Sequence, residues 1–149
     1  MKKIIIIFIA LLIISLSLGI YIWRIEPRWV EWNHYVMPIK NLPESLVDKK
    51  LVQISDIHIG ETVDEEYIIK QFNKISDINP DILVFTGDYI SAVNINQAPF
   101  DQLQKILEYS PKGKLATVAI LGNHDYGILA RNGSRADSLV QILVNNGFT

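Results

Sequence analysis

The 149-residue chain predicts an α/β fold with a parallel sheet behind a single membrane-crossing helix, and three observations carry that expectation. An uncharged apolar run fills Ile4 to Trp23. From Lys50 onward, short apolar runs alternate with stretches of helical periodicity, as in strands joined by crossover helices. Each of those apolar runs ends in acid, amide or imidazole groups: SDIH at 55–58, GD at 87–88 and GNHD at 122–125.

The N-terminal run is about 20 residues long, enough for a helix to cross roughly 30 Å of hydrocarbon. Tyr21 and Trp23 suit its far interface, and Lys2 and Lys3 favour a cytoplasmic N-terminus, a bias that Arg24 and Arg28 weaken. A cleavable signal peptide is the rival reading. The apolar core is longer than such a peptide needs, and no small-x-small pattern precedes Arg24, so a retained anchor is expected. The rest of the chain is then expected on the extracytoplasmic side of the cell membrane, behind a single pass. Three segments follow: an anchor over 1–24, a juxtamembrane connector over 25–49 and a catalytic domain over 50–149. The connector predicts a short edge strand around Val30 to Val36, where apolar residues alternate, and Pro38 and Pro43 break anything longer.

In the domain, the first strand is expected over Leu51–Ser55. Thr62 and Glu65 have capping-box spacing, and Tyr67, Ile68, Phe72 and Ile75 continue a helix that Asn79 and Pro80 stop. The second strand is Asp81–Gly87, apolar enough to be buried on both faces. A second helix carries Phe100, Leu103, Ile106 and Leu107 and ends at Ser110 and Pro111. The third strand is Leu115–Gly122, and its helix, from near Ser134, carries Leu139, Val140, Leu143 and Val144 before a capping Gly147.

With 14 basic and 16 acidic residues and no clustered basic patch, nothing points to nucleic acid as a partner. The absence of cysteine excludes disulfides and thiolate metal sites. Taken singly, Asp56 reads as a turn acid, His58 as a structural histidine and GNHD as loop chemistry. Together they read otherwise. The carboxyl ends of parallel neighbours lie on one sheet edge, where ligands bind, so Asp56, His58, Asp88, Asn123, His124 and Asp125 are expected to converge. Carboxylate, imidazole and amide oxygens suit divalent Mn, Fe, Zn or Mg. Asp56 and His58 would grip one ion, and Asp88 would bridge to a second that Asn123 also serves. Two ions that share a water can supply hydroxide at neutral pH and clamp a phosphoryl group against it. His124 would protonate the leaving oxygen or steady the phosphoryl oxygens, with Asp125 orienting the imidazole. Nucleotide binding at these tips is the weaker rival, because no glycine-rich phosphate loop follows any strand.

In order and spacing, Asp-x-His, Gly-Asp and Gly-Asn-His-Asp resemble the opening motifs of the calcineurin-like metallophosphoesterase superfamily. LVQISDIHIG behind an N-terminal anchor is similar to the bacterial membrane-associated branch that includes enzymes acting on UDP-2,3-diacylglucosamine. The resemblance covers about Ile25 to Thr149. It implies a four-layer αββα sandwich of which this chain supplies the N-terminal half, two metal ions at its edge and a phosphate-ester substrate, lipid-linked or nucleotide-linked. It implies Asp56, His58 and Asp88 on the first ion, Asp88 and Asn123 on the second, and His124 at the leaving group. The superfamily also carries later Gly-His and Gly-His-x-His motifs, whereas no histidine follows His124 here, and Ser91 stands where many relatives carry an acid. The expectation is therefore an N-terminal portion whose strands Ile82–Phe85 and Val118–Leu121 leave one face half exposed. A catalytically inactive, membrane-anchored remnant is the alternative to an enzyme.

Overall fold

The computed structural model describes residues 2–59, 64–91, 98–127 and 133–149, and it separates into two compact units, Met1–Met37 and Pro38–Thr149. The first unit holds helix α1, Lys2–Ile20, which passes through a π-helical turn, Tyr21–Ile25, into a 3-10 turn, Glu26–Arg28. None of its helical residues is buried. The helical stretch Lys2–Arg28, 27 residues, is long and apolar enough to cross a membrane. Its end is finished by polar contacts: the Arg24 guanidinium lies over the Trp23 ring at 5.4 Å, and Arg28 Nη1 donates to the Arg24 carbonyl at 3.2 Å. The edge strand expected over Val30 to Val36 does not form. Those residues have neither helical nor ladder hydrogen bonds among the described residues, because alternation without a neighbouring strand does not make a sheet.

The second unit is built on a three-stranded sheet of β1 (Leu51–Ile54), β2 (Ile82–Phe85) and β3 (Ala116–Ala119), parallel throughout and in the order β1-β2-β3. Val52, Leu83 and Thr117 stand in register, as do Ile54, Phe85 and Ala119. Helix α2 (Glu65–Ile78) joins β1 to β2, and α3 (Ala98–Leu107) joins β2 to β3. Advancing one strand at a time with right-handed crossovers places both on one face, and α3 packs against both α2 and the last helix, α4 (Gly133–Asn145).

Local chemistry sets the ends of these helices. α2 starts at Asp64, whose carboxylate accepts the Tyr67 N–H at 2.8 Å, with Glu65 and Glu66 complementing the helix dipole. The cap is thus Asp64 rather than the Thr62 of the expected capping box, and Thr62 itself lies outside the described residues. α2 ends at left-handed Asn79, φ 56°, ahead of Pro80. α4 closes with Gly147 at φ 78°, the Gly147 N–H on the Val144 carbonyl and the Phe148 N–H on that of Leu143, a Schellman pattern. The row Ala136, Leu139, Leu143 faces inward, while Val140 and Val144 point out because each sits one residue further around the helix.

The core lies between the helices and the sheet face that carries Leu83 and Phe85. The Phe85 ring meets Phe72 of α2 at 6.1 Å, Phe148 at 5.0 Å and Tyr89 at 6.3 Å. Burying each such side chain contributes roughly 1.5–3 kcal/mol. The opposite sheet face is more open: Leu51 is 48% and Ile120 56% exposed, with Ile82, Val84 and Val118 half-buried. Thr149 extends the pairing beyond β3, donating to the Thr117 carbonyl at 3.0 Å and accepting from the Ala119 N–H at 2.9 Å.

Candidate metal centre

Beyond β1 and β2 the chain kinks rather than stopping. Asp56, His58 and Asp88 all adopt left-handed backbone, φ 57°, 45° and 57°, and Gly87 sits at φ 98°. Left-handed backbone costs a non-glycine residue on the order of 1–3 kcal/mol and collects at functional sites. Here the two kinked segments zip together: the Asp56 N–H donates to the Gly87 carbonyl at 3.1 Å, His58 to Asp88 at 3.0 Å and Ile59 to Tyr89 at 2.9 Å. Ile57 and Ile59 turn into the core, leaving Asp56 and His58 on the other side.

The third tip joins through a close glycine crossing. A Cβ on Gly122 would collide with the backbone nitrogen and carboxylate of Asp88, and one on Gly87 would collide with the Gly122 backbone. Gly87 serves the turn through its positive φ, whereas Gly122 is needed for close approach. The crossing lets the His124 N–H donate to Asp88 Oδ1 at 2.9 Å and brings the His124 ring edge-on to His58 with centroids 4.9 Å apart.

The result is a cluster of donors. Ligand atoms of His58, Asp88 and His124 lie within 4.8 Å of one another. Asp56 stands beside them, its Oδ1 3.4 Å from His58 Nε2, which in turn is 3.9 Å from Asp88 Oδ2. Asn123 is exposed and begins the 3-10 turn His124–Tyr126. His124 Nδ1 is buried and without a hydrogen-bond partner among the described residues. An orphaned imidazole nitrogen beside a carboxylate and a second imidazole fits a divalent cation.

Asp125 does something other than orient His124. Fully buried, its carboxylate accepts four backbone N–H groups: Gly122 and Asp88 on Oδ2, both at 2.8 Å, and Tyr89 and Ile90 on Oδ1, at 2.9 and 3.4 Å. Those bonds occupy the oxygens that would have met the imidazole. Burial pushes the Asp125 carboxyl above its ordinary value, and the four N–H groups oppose that rise. Burial, with the Asp125 charge second, likewise pushes the Tyr89 phenol up. The sequence singled out Asp125 but expected the His124 ring as its neighbour, where the structure has backbone N–H groups; the left-handed backbone at Asp56, His58 and Asp88 carried no sequence signal beyond the tolerance of Asp and His for it.

Residues 49–147 match the calcineurin-like phosphoesterase family. The UDP-2,3-diacylglucosamine pyrophosphatase LpxG of Chlamydia muridarum is 32% identical over 108 residues, 71% of this chain and 32% of that protein. LpxG of Chlamydia trachomatis is 39% identical over 89 residues, 58% of this chain and 26% of that protein. A transmembrane protein with metallophosphoesterase domain from Danio rerio is 33% identical over 94 residues, 60% of this chain and 20% of its own length. The chain thus spans about a third or less of these relatives.

Proposed function

Because the chain belongs to the calcineurin-like phosphoesterase family, we propose that it forms the metal-binding edge of a membrane-anchored hydrolase of phosphomonoester, phosphodiester or pyrophosphate bonds. The convergence of His58, Asp88 and His124 is the observation that carries this reading. Asp56, His58 and Asp88 would hold one divalent ion, and Asp88 with Asn123 would contribute to a second. When bound, the ions supply Lewis acidity toward the phosphoryl oxygens and hydroxide from water at neutral pH. The chain's own residues do the rest. Asp88 Oδ1, engaged by the His124 N–H, leaves Oδ2 toward His58. His124, one of the clustered donors, would steady the phosphoryl oxygens or protonate the leaving oxygen. The pyrophosphate of a nucleotide-linked lipid is the substrate class favoured, since the LpxG relatives are named for one and α1 would hold the domain at a lipid surface, on the extracytoplasmic side.

A second reading, an inactive membrane-anchored binder of a single ion, is favoured by the fact that among the described residues the acid and imidazole cluster has three members. Calorimetric titration of the chelated full chain in detergent with Mn²⁺, followed by assays on p-nitrophenyl phosphate, its bis ester and a UDP-linked pyrophosphate, separates the two. Two bound ions with Mn²⁺-dependent hydrolysis support the enzyme. One ion without hydrolysis supports the binder, and no binding ends both.

A further inference from the structure

We infer that Asp125 is a positioning residue that sets metal affinity by locking the Asp88 carboxylate, an inference that rests on the metal-site reading above. A turn-forming aspartate needs one local bond, and the reach back to the Gly122 N–H would supply it. Three further bonds run to Asp88, Tyr89 and Ile90, on the neighbouring strand tip. Oδ2 is shared between the two tips, with equal distances of 2.8 Å to the Gly122 and Asp88 nitrogens, so it fixes their separation. The adjacent residue returns the contact: the His124 N–H holds Asp88 Oδ1 at 2.9 Å.

Backbone of 88 to side chain of 125, and backbone of 124 to side chain of 88, therefore form a closed loop. Within it the Asp88 carboxylate cannot rotate without giving up the His124 N–H. The free oxygen, Oδ2, is thereby held toward His58. Removing an acceptor at Asp125 lets the tips separate, frees Asp88 and spreads the donor cluster, although Asp125 touches no ion. Residues that hold a ligand in this way typically change metal affinity 10- to 100-fold, roughly, when replaced.

The test uses the full chain in detergent. Asp125→Asn turns one acceptor oxygen into a donor and should raise the Mn²⁺ dissociation constant, read by electron paramagnetic resonance below its unfolding temperature, by about 10-fold or more. Asp125→Glu keeps both acceptors and should stay within about threefold of the parent. A folded Asp125→Asn variant that binds Mn²⁺ like the parent overturns the inference. If that variant does not fold, amide exchange on the unsubstituted chain decides: the Gly122, Asp88, Tyr89 and Ile90 N–H groups should be protected, and more so with saturating Mg²⁺. Free exchange, or protection indifferent to the metal, overturns it. A parent that binds no metal at all sinks the metal reading and the positioning role together, and the amides still report whether the brace itself exists.

Discussion

The two ends of the parallel sheet are held by the same device used for different purposes. At the amino ends, Asp81 Oδ2 accepts the Lys50 N–H at 3.0 Å, Lys49 approaches its other oxygen at 4.0 Å, and Gly113 gives its N–H to Thr117 Oγ1 at 2.9 Å. Hydrogen bonds and counter-charges are matched there, although Asp48 and Asn79, just ahead of β1 and β2, are left-handed at φ 58° and 56°. At the carboxyl ends, Asp125 likewise takes N–H groups from a neighbouring strand, yet the segment it braces contains left-handed acids and an imidazole nitrogen with no partner among the described residues. One end is finished; the other is rigid but chemically unsatisfied. Left-handed backbone occurs at both ends, and what sets the carboxyl ends apart is the gathering of His58, Asp88 and His124 beside an imidazole nitrogen without a partner among the described residues.

Breaking the unsatisfied end should cost function first. Asp88→Asn removes the residue common to every part of the cluster, and Mn²⁺ affinity measured by calorimetry should fall by more than about 100-fold, beyond the effect of losing an outer support. Little change would show that the cluster is not the metal centre. A matched pair of glycines then sharpens the contrast, since a Cβ at Gly113 would strike the Ala116 carbonyl just as one at Gly122 strikes Asp88. Gly122→Ala and Gly113→Ala should each lower stability by about 1–3 kcal/mol, by denaturant titration. Only the former should also weaken metal binding, and equal effects on metal would erase the functional difference between the ends.

A smaller effect of opposite sign is expected at Asp56, where relief of left-handed strain in Asp56→Gly should raise stability by about 0.5–1 kcal/mol while lowering Mn²⁺ affinity. Asp81 should show the least. The Lys50 N–H is the main cause holding its carboxyl below the ordinary value, with nearby lysines adding to it. The ionised form is therefore favoured in the folded state, and its contribution is present above the unfolded carboxylate value near ~3.9. It is lost as pH falls through the lowered folded value. The melting temperatures of the parent and Asp81→Asn should differ slightly at pH 6 and converge in acid, with metal binding at pH 7 unaltered.

Much of the satisfied architecture was legible in the sequence, since it rests on patterns that propensity and burial impose. Apolar runs gave the three strands, each four residues long where five, seven and eight were expected, and Asn79–Pro80 and Gly147 stopped helices where they should. The order of the strands follows from short crossovers, and with it the shared edge. Two features were illegible for distinct reasons. Thr62 and Asp64 are two residues apart and both can cap a helix, and only the bond from the Tyr67 N–H identifies Asp64. An acid that follows a histidine looks alike whether its oxygens face the ring or the neighbouring backbone, and the Gly87–Gly122 crossing that decides between them is a long-range contact. The strand expected around Val30 failed because alternation predicts a face, not a neighbour.

The crossing of Gly87 with Gly122 has a further consequence, for heredity. Every amino-acid replacement of a glycine introduces a side chain, so neither codon has a conservative exit. Among natural variants of this gene, a copy still under selection should differ at these two codons only by synonymous changes, and a decaying copy should accumulate missense changes there as readily as anywhere else.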